Sequence, residues 1–340
     1  MTKVIQNARL KAYNTFGLDV TASYLCFYNE PSDLKYLITE GPLQRDEHMM
    51  ILGGGSNVLF KDNFEGVIIH PVNEFIVVTH EDEHSVYVKA GAGLEWDKLV
   101  EWAVENGYGG IENLSHIPGN VGAAPIQNIG AYGVEVKDAI HEVHLVRFYD
   151  GSTETLSGSQ CEFGYRTSIF KTNLKNRVLV DSVTFKLSKH PTFVTHYGSV
   201  KPEVEKMGEL NLKSIRKAII KIRTEKLPDP KEIGNAGSFF KNPVIPTIEA
   251  DMLKKQFPDL VSYPAESDMV KLAAGWMIEQ CGLKGYTLPN GKAGVHSKQA
   301  LVIINHGEAT SDELVEVSKL VQNKVFEKFD ICLEPEVNII

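Results

Sequence analysis

Two glycine-dense segments are the parts of this sequence best suited to holding a ligand. The first is Gly53-Gly54-Gly55-Ser56-Asn57, entered from the apolar run Met49-Met50-Ile51-Leu52 and left through Val58-Leu59. Consecutive glycines admit positive φ and close backbone approach. Their N–H groups can form a nest for phosphate oxygens, to which Ser56 and Asn57 add side-chain donors. A tight turn between strands accounts for the same glycines, so this segment alone does not decide. The second segment, residues 109–133, holds six glycines, four alanines or serines, and no Lys or Arg. A phosphate lying here is held by backbone N–H groups and by Asn or Ser. A buried interdomain loop is the bland alternative. An uninterrupted loop of this length is usually functional, which favours a cofactor.

Other chemistries can be set aside. Gly291-Lys292 is followed by Ala293 and position 286 is Tyr, so no phosphate-binding GxxxxGK[ST] exists. Gly54-Gly55-Ser56-Asn57-Val58 lacks the closing glycine of GxSxG. His141-Glu142-Val143-His144 is one residue short of HExxH and reads as a half-buried strand. Gly91-Ala92-Gly93 is a lone GxG with Asp97 near the third glycine's place, a weak dinucleotide signal. Cys26, Cys161, Cys281 and Cys332 are too far apart for zinc spacing. The charge balance of −9 is a poor match to nucleic acid. No apolar run reaches the roughly 20 residues of a membrane helix, and the N-terminus lacks a signal-peptide core. The expectation is a soluble cytoplasmic protein with idle thiols, no metal, no nucleic-acid or membrane partner, and a monomeric state.

The elements that would position these loops are mixed α and β. Residues 66–70, 75–79 and 85–90 read as strands rich in Val and Ile. Trp96, Leu99, Val100, Ala103 and Val104 predict a helix over 94–106, stopped by Gly107. Residues 139–149 and 177–187 are strand-rich. A basic helix is expected over 214–226, with Ile215, Ala218, Ile219 and Ile222 as its apolar stripe and Lys213, Arg216, Lys217, Lys221, Arg223 and Lys226 as a solvated face. Leu227-Pro228-Asp229-Pro230 stops it and marks a domain boundary. A helix over 268–281, a strand over 300–304, and a helix over 311–329 opened by Thr310 and Glu313 in capping-box spacing complete the pattern.

The two loops resemble those of the UDP-N-acetylenolpyruvoylglucosamine reductases (UDP-N-acetylmuramate dehydrogenases), FAD enzymes of bacterial peptidoglycan precursor synthesis. The resemblance continues, in order, through Tyr165-Arg166, Lys226-Leu227-Pro228-Asp229-Pro230, Gly237-Ser238-Phe239-Phe240-Lys241-Asn242-Pro243, Ala273-Ala274-Gly275-Trp276 and Leu333-Glu334-Pro335-Glu336-Val337. It implies an α+β chain: a vanillyl-alcohol-oxidase-like, two-part FAD-binding module followed by a C-terminal α+β substrate domain. The implied divisions are 1–75 and 76–226 for the two FAD subdomains, 227–328 for the substrate domain, and 329–340 for a C-terminal strand.

The resemblance also implies roles. FAD would be held by Gly53, Gly54, Gly55, Ser56 and Asn57, and by Pro118, Gly119, Gly122, Ala123, Gln127, Asn128, Gly130, Ala131 and Tyr132. Arg166 and Glu336 would stabilise an enol intermediate, and Ser238 would donate a proton. Tyr197, in Thr195-His196-Tyr197-Gly198, resembles the tyrosine that closes over substrate in the family's longer-loop type. Lys226, Asn242, Tyr263 and Gln299 match positions that contact the UDP-sugar. NADPH would be the hydride donor and UDP-N-acetylglucosamine-enolpyruvate the acceptor. Two departures stand out. His116 occupies an expected apolar position, and the chain ends Glu336-Val337-Asn338-Ile339-Ile340, with Asn338 in place of an arginine and no final glycine.

Overall fold

The computed structural model describes residues 2–45, 48–265 and 267–340. The chain forms two units. The first takes the segment ending at Arg9, then Thr21–Gly54 and Phe64–Glu225; the second takes Leu10–Val20, Gly55–Asn63 and Lys226–Ile340. The divisions expected from sequence run in consecutive blocks, whereas these units interleave. The reason is local pairing: Asn235 N–H donates to Thr15 O and the Asn305 amide to Phe16 O, which ties Leu10–Val20 to the C-terminal part.

Among its described residues the first unit contains two large sheets and one two-stranded pair. Strands Val4–Arg9, Thr21–Tyr28, Phe64–Pro71 and Met49–Ile51 lie in that spatial order, the first pair antiparallel and the others parallel. Helix Pro31–Thr39 buries Leu34 and Leu37 in a core with Cys26, Tyr28, Val67, Ile69, Val146 and Leu179. The second sheet is antiparallel, in the order Thr153–Ser157, Ile140–Arg147, Val178–Ser188, Ser85–Gly91, Ile76–Glu81. Its strand Ser85–Gly91 buries Val86, Val88 and Ala90, the period-two alternation that gives a strand one apolar face. Helix Trp96–Glu105 packs onto this core through Leu99, Val100, Ala103 and Val104, and the Trp96 indole N–H donates to Leu114 O at 2.9 Å. The helix expected over 94–106 is thus present, and Gly107 follows it at φ 78°.

Helix Leu212–Lys226 buries Ile215, Ala218, Ile219 and Ile222 against Val200 and Val204, as the stripe predicts. The expectation of a purely solvated basic face is corrected. Arg216 is 8% exposed, and Arg223 is half-buried. Both fall at helical spacing with Leu212 and Ile219, so they share a face with buried neighbours.

The second unit has two three-stranded antiparallel sheets. One runs Gly234–Ser238, Val302–Asn305, Ala293–Val295; the other runs Val244–Pro246, Met269–Leu272, Ser262–Pro264. The expected helix over 268–281 is therefore wrong in its first part. Met269–Leu272 is the central strand of a sheet, and only Ala274–Gln280 is helical. Pairing on both edges overrode the short helical pattern. Helix Ser311–Phe329 begins as expected, with the Thr310 hydroxyl accepting from Glu313 N–H and the Glu313 carboxylate accepting from Thr310 N–H at 2.6 Å. The last strand, Asn338–Ile339, pairs in parallel with Val58–Leu59.

Candidate active site

The two glycine segments meet in the first unit. A Cβ on Gly53 would lie 3.0 Å from Oδ1 of Asn120, and one on Gly54 would lie 3.1 Å from the same atom and 3.3 Å from Gly119 Cα. Backbone lies close to backbone at Gly54, and a side chain at either glycine would need Asn120 or Gly119 to give way. Asn120 donates its amide to Gly93 O at 2.5 Å, while its buried Oδ1 has no hydrogen-bond partner among the described residues. Trp96 N–H donates to Gly119 O, Val121 N–H to Leu94 O and Gly122 N–H to Ala92 O. So Gly91-Ala92-Gly93 buttresses the second loop. Its position is fixed in turn by Asn73, which accepts from Gly93 N–H at 3.0 Å and donates to Asp181 O at 2.7 Å. The Asp181 carboxylate accepts from the hydroxyls of Tyr28 and Ser182 at 2.7 and 2.8 Å. Burial raises the Tyr28 phenol pKa far above its usual range, reinforced by the neighbouring Asp181. Sequence reasoning missed Asn73, Asn120 and Asp181, because an isolated Asn or Asp carries no spacing signal.

The rest of the second loop is similarly ordered. Helical turns over Glu112–Leu114 and Val121–Ala123 and the short pair Gly130–Ala131 with Val134–Glu135 interrupt it. Pro118 and Ala123 are exposed, and Gln127 is half-buried. Asn128 is buried, and its amide donates to Glu135 Oε2 at 2.9 Å and to Gly164 O at 3.1 Å. Both amide hydrogens are thus committed within the protein, which leaves that nitrogen no donor for a cofactor. Tyr132, at φ 49°, lies 6.4 Å from the ring of Tyr197 in an edge-on arrangement, and the Tyr197 Cβ sits beside Gly133. Burial pushes the Tyr132 phenol pKa up, opposed by the Arg223 guanidinium that hydrogen-bonds its hydroxyl.

His116, the departure noted from sequence, is an exposed residue at φ 61°. Its N–H donates to Asp97 Oδ1 at 2.5 Å, and its O accepts from Arg223 Nε at 3.0 Å. Asp97 also accepts from Arg216 at 2.7 and 3.0 Å. Burial opposes ionisation of Asp97, but the bonds from Arg216 and His116 outweigh it and hold the carboxyl below its usual range. The position thus works through its backbone rather than an apolar side chain.

Arg166 is at φ 55° in the same unit. Its Nη2 donates to Gly130 O at 3.1 Å, its guanidinium lies 5.8 Å from the Tyr165 ring, and its O accepts from Lys171 Nζ at 3.3 Å. The candidate catalytic arginine therefore lies against the candidate cofactor loop.

The second unit gathers the other candidates. Gly55 is at φ 64°, and a Cβ there would fall 2.0 Å from Tyr13 O. Asn57 donates to Glu336 O at 3.3 Å, and its own O accepts from both the N–H and the amide of Asn338, at 3.1 and 3.0 Å. Asn338 thus anchors the tail to the residue after Ser56. Glu336 N–H donates to Phe239 O at 2.8 Å, and Lys241 N–H to Glu334 O at 2.9 Å. Ser238, exposed beside the fully buried Phe239, accordingly lies next to the chain segment carrying Glu336. Asn242 accepts from Ala274 N–H at 3.0 Å, and Gln299 Oε1 lies 3.2 Å from where a Cβ on Gly275 would be. These two therefore converge on the start of helix Ala274–Gln280. Tyr263 pairs in register with Lys271, and Lys226 is the exposed last residue of its helix.

The residues fit a dinucleotide lying against glycine backbone. Gly53 and Gly54 pack closely on Gly119 and Asn120, and the buried Asn120 Oδ1, without a partner among the described residues, is an acceptor that a hydroxyl or amine of such a ligand would satisfy. A family model described as an FAD-binding domain matches residues 42–157, and one described as the UDP-N-acetylenolpyruvoylglucosamine reductase C-terminal domain matches residues 229–340. The fold agrees with that of 6-hydroxy-D-nicotine oxidase from Arthrobacter nicotinovorans, at TM-score 0.50 and 13% identity over 98% of this chain and 87% of that one. Fold and site together define a flavin-dependent oxidoreductase. The chain is 45% identical over 330 residues to the UDP-N-acetylenolpyruvoylglucosamine reductase of Chromobacterium violaceum (96% of each chain), and 42% identical over 341 residues to that of Flavobacterium johnsoniae (99% of this chain, 100% of the other). The crystal structure of the reductase from Thermus caldophilus matches at TM-score 0.68 and 25% identity, over 100% of this chain and 98% of that one. The chain belongs to the UDP-N-acetylenolpyruvoylglucosamine reductase family.

Proposed function

We propose that the protein reduces the enolpyruvyl group of UDP-N-acetylglucosamine-enolpyruvate to the lactyl ether of UDP-N-acetylmuramate, with Arg166, Ser238 and Glu336 as its catalytic residues. FAD, when bound, would supply the redox chemistry that carries a hydride from NADPH to the terminal carbon of the enolpyruvyl group. Gly53–Asn57 and the segment from Pro118 to Tyr132 bind that cofactor. Hydride addition moves charge onto the substrate carboxylate, so the transition state resembles an enolate. The Arg166 guanidinium stabilises that charge without reorganising. Glu336 stabilises the same enol. Ser238 donates its hydroxyl proton to the neighbouring carbon, which completes the addition of one hydride and one proton.

Tyr197 closes over the substrate, and Lys226, Asn242, Tyr263 and Gln299 hold the UDP-sugar. Residues 1–75 and 76–226 form the two FAD-binding subdomains, residues 227–328 bind substrate, and 329–340 carry Glu336. The protein acts as a cytoplasmic monomer. Among the described residues no helix is long and apolar enough to cross a membrane.

The observation that carries this reading is Arg166 bonded to Gly130 of the cofactor loop. The test is anaerobic flavin reduction by NADPH, followed by addition of UDP-N-acetylglucosamine-enolpyruvate. Bleaching and then return of the flavin absorption is the expected result. Flavin that bleaches but is not reoxidised by this substrate points to another acceptor. Protein that takes up no FAD points to a nucleotide-sugar-binding role.

A further inference from the structure

The turn that carries Arg166 is closed by reciprocal hydrogen bonds, Gly164 N–H to Thr167 O at 3.1 Å and Thr167 N–H to Gly164 O at 3.3 Å, with Tyr165 and Arg166 at its tip. Three bonds join this turn to the cofactor loop, and they come from alternate loop residues. Ile126 O accepts from Ser168 Oγ at 2.6 Å, the Asn128 amide donates to Gly164 O at 3.1 Å, and Gly130 O accepts from Arg166 Nη2 at 3.1 Å. Ser168 and Asn128 are 2% and 1% exposed. Asn128 is pinned on its own side as well, since its Oδ1 accepts from Lys137 N–H at 3.1 Å and its amide also donates to Glu135, which pairs with Lys137 at 2.9 Å. Asn128 and Arg166 are both at positive φ, 46° and 55°. Asparagine adopts that conformation readily, whereas an arginine keeps it only where its surroundings impose it, and such strain gathers at functional sites.

We propose that Asn128 and Ser168 are positioning residues for the reduction, setting the aim of the Arg166 guanidinium by fixing its turn to the cofactor loop. The inference rests on the carboxylate-stabilising role proposed for Arg166. A misplacement of about 1 Å from a residue outside the chemistry can cost roughly 100-fold in rate.

The test uses FAD-loaded enzyme, reduced anaerobically by NADPH and mixed with saturating UDP-N-acetylglucosamine-enolpyruvate, and reads the rate of flavin reoxidation. Ser168→Ala and Asn128→Ala are each expected to slow reoxidation about 10- to 100-fold. In an Arg166→Ala background neither is expected to slow it further, because a residue acting through Arg166 has nothing left to aim. Losses that multiply in the double variants overturn the proposal, since a purely structural defect adds independently. Ser168→Ala removes one oxygen atom, and it carries the test alone if Asn128→Ala yields no folded flavoprotein. Slow reoxidation in Arg166→Ala with unaltered rates in both single variants removes this inference only. An unaltered rate in Arg166→Ala removes the role of the arginine and this inference together.

Discussion

Ser238, Arg166 and Glu336 are ordinary residue types, and nothing in their spacing makes them catalytic. With Ser238 in its proposed role of proton donor, Ser238→Ala should keep FAD and its reduction by NADPH yet lower product formation about 10²- to 10⁴-fold; stopped-flow resolution of the two half-reactions checks this. Gly55→Ala should be poorly tolerated, because its Cβ would fall 2.0 Å from Tyr13 O at a φ of 64°. Overpacking costs roughly 1–3 kcal/mol, so a lower unfolding midpoint is expected, and an unchanged one would show that the backbone yields. Asp97 gives a pH prediction. Its folded pKa lies below its usual value, so ionisation and folding favour each other. The stability it contributes is present above about pH 3.9, the ordinary aspartate value, and is lost as pH falls through the lower folded pKa. Asp97→Asn should therefore lower the midpoint at pH 7 and matter less near pH 3. The sequence displayed the glycines and the order of the motifs, but not Asn120 or Asn73. Their work is a single hydrogen bond to a distant chain segment, and no local pattern records such a bond.

Elements were legible where periodicity is long and failed where it is short. Helix Ser311–Phe329 follows from nineteen residues of pattern and a capping box. Thr310→Ala should cost about 0.5–2 kcal/mol, because a helix N–H loses its acceptor; thermal unfolding would show it, and no shift would mean that another group replaces the cap. Met269–Leu272 is four residues long, and four residues of Met, Val, Lys and Leu suit a helix or a strand equally. The pairing with Val244–Pro246 and Ser262–Pro264 decides, and it lies outside the window that sequence reasoning inspects. The basic helix shows a subtler failure. Charge alone suggested solvent, whereas the turn-by-turn spacing of Leu212, Arg216, Ile219 and Arg223 already placed two arginines beside buried positions.

At the scale of the whole chain, the units part between Glu225 and Lys226, beside the Pro228 boundary, but the second unit also takes Leu10–Val20 and Gly55–Asn63. A fragment of residues 227–340 would lack Val58–Leu59, the partner of the last strand, and Thr15, whose carbonyl binds Asn235. It should fail to give a cooperative melt or dispersed amide resonances, and a well-folded fragment would show those early segments to be dispensable. The C-terminal pairing also bears on how the chain is made. Residues 55–63 leave the ribosome long before residues 338–340, to which Asn57, Leu59 and Lys61 bind. At about 5–20 residues per second, roughly 14–55 s of translation separate the two. Until residues 338–340 are synthesised, the stretch after the third glycine waits without its closing strand, so a nascent chain stalled before residue 338 should expose that stretch to protease.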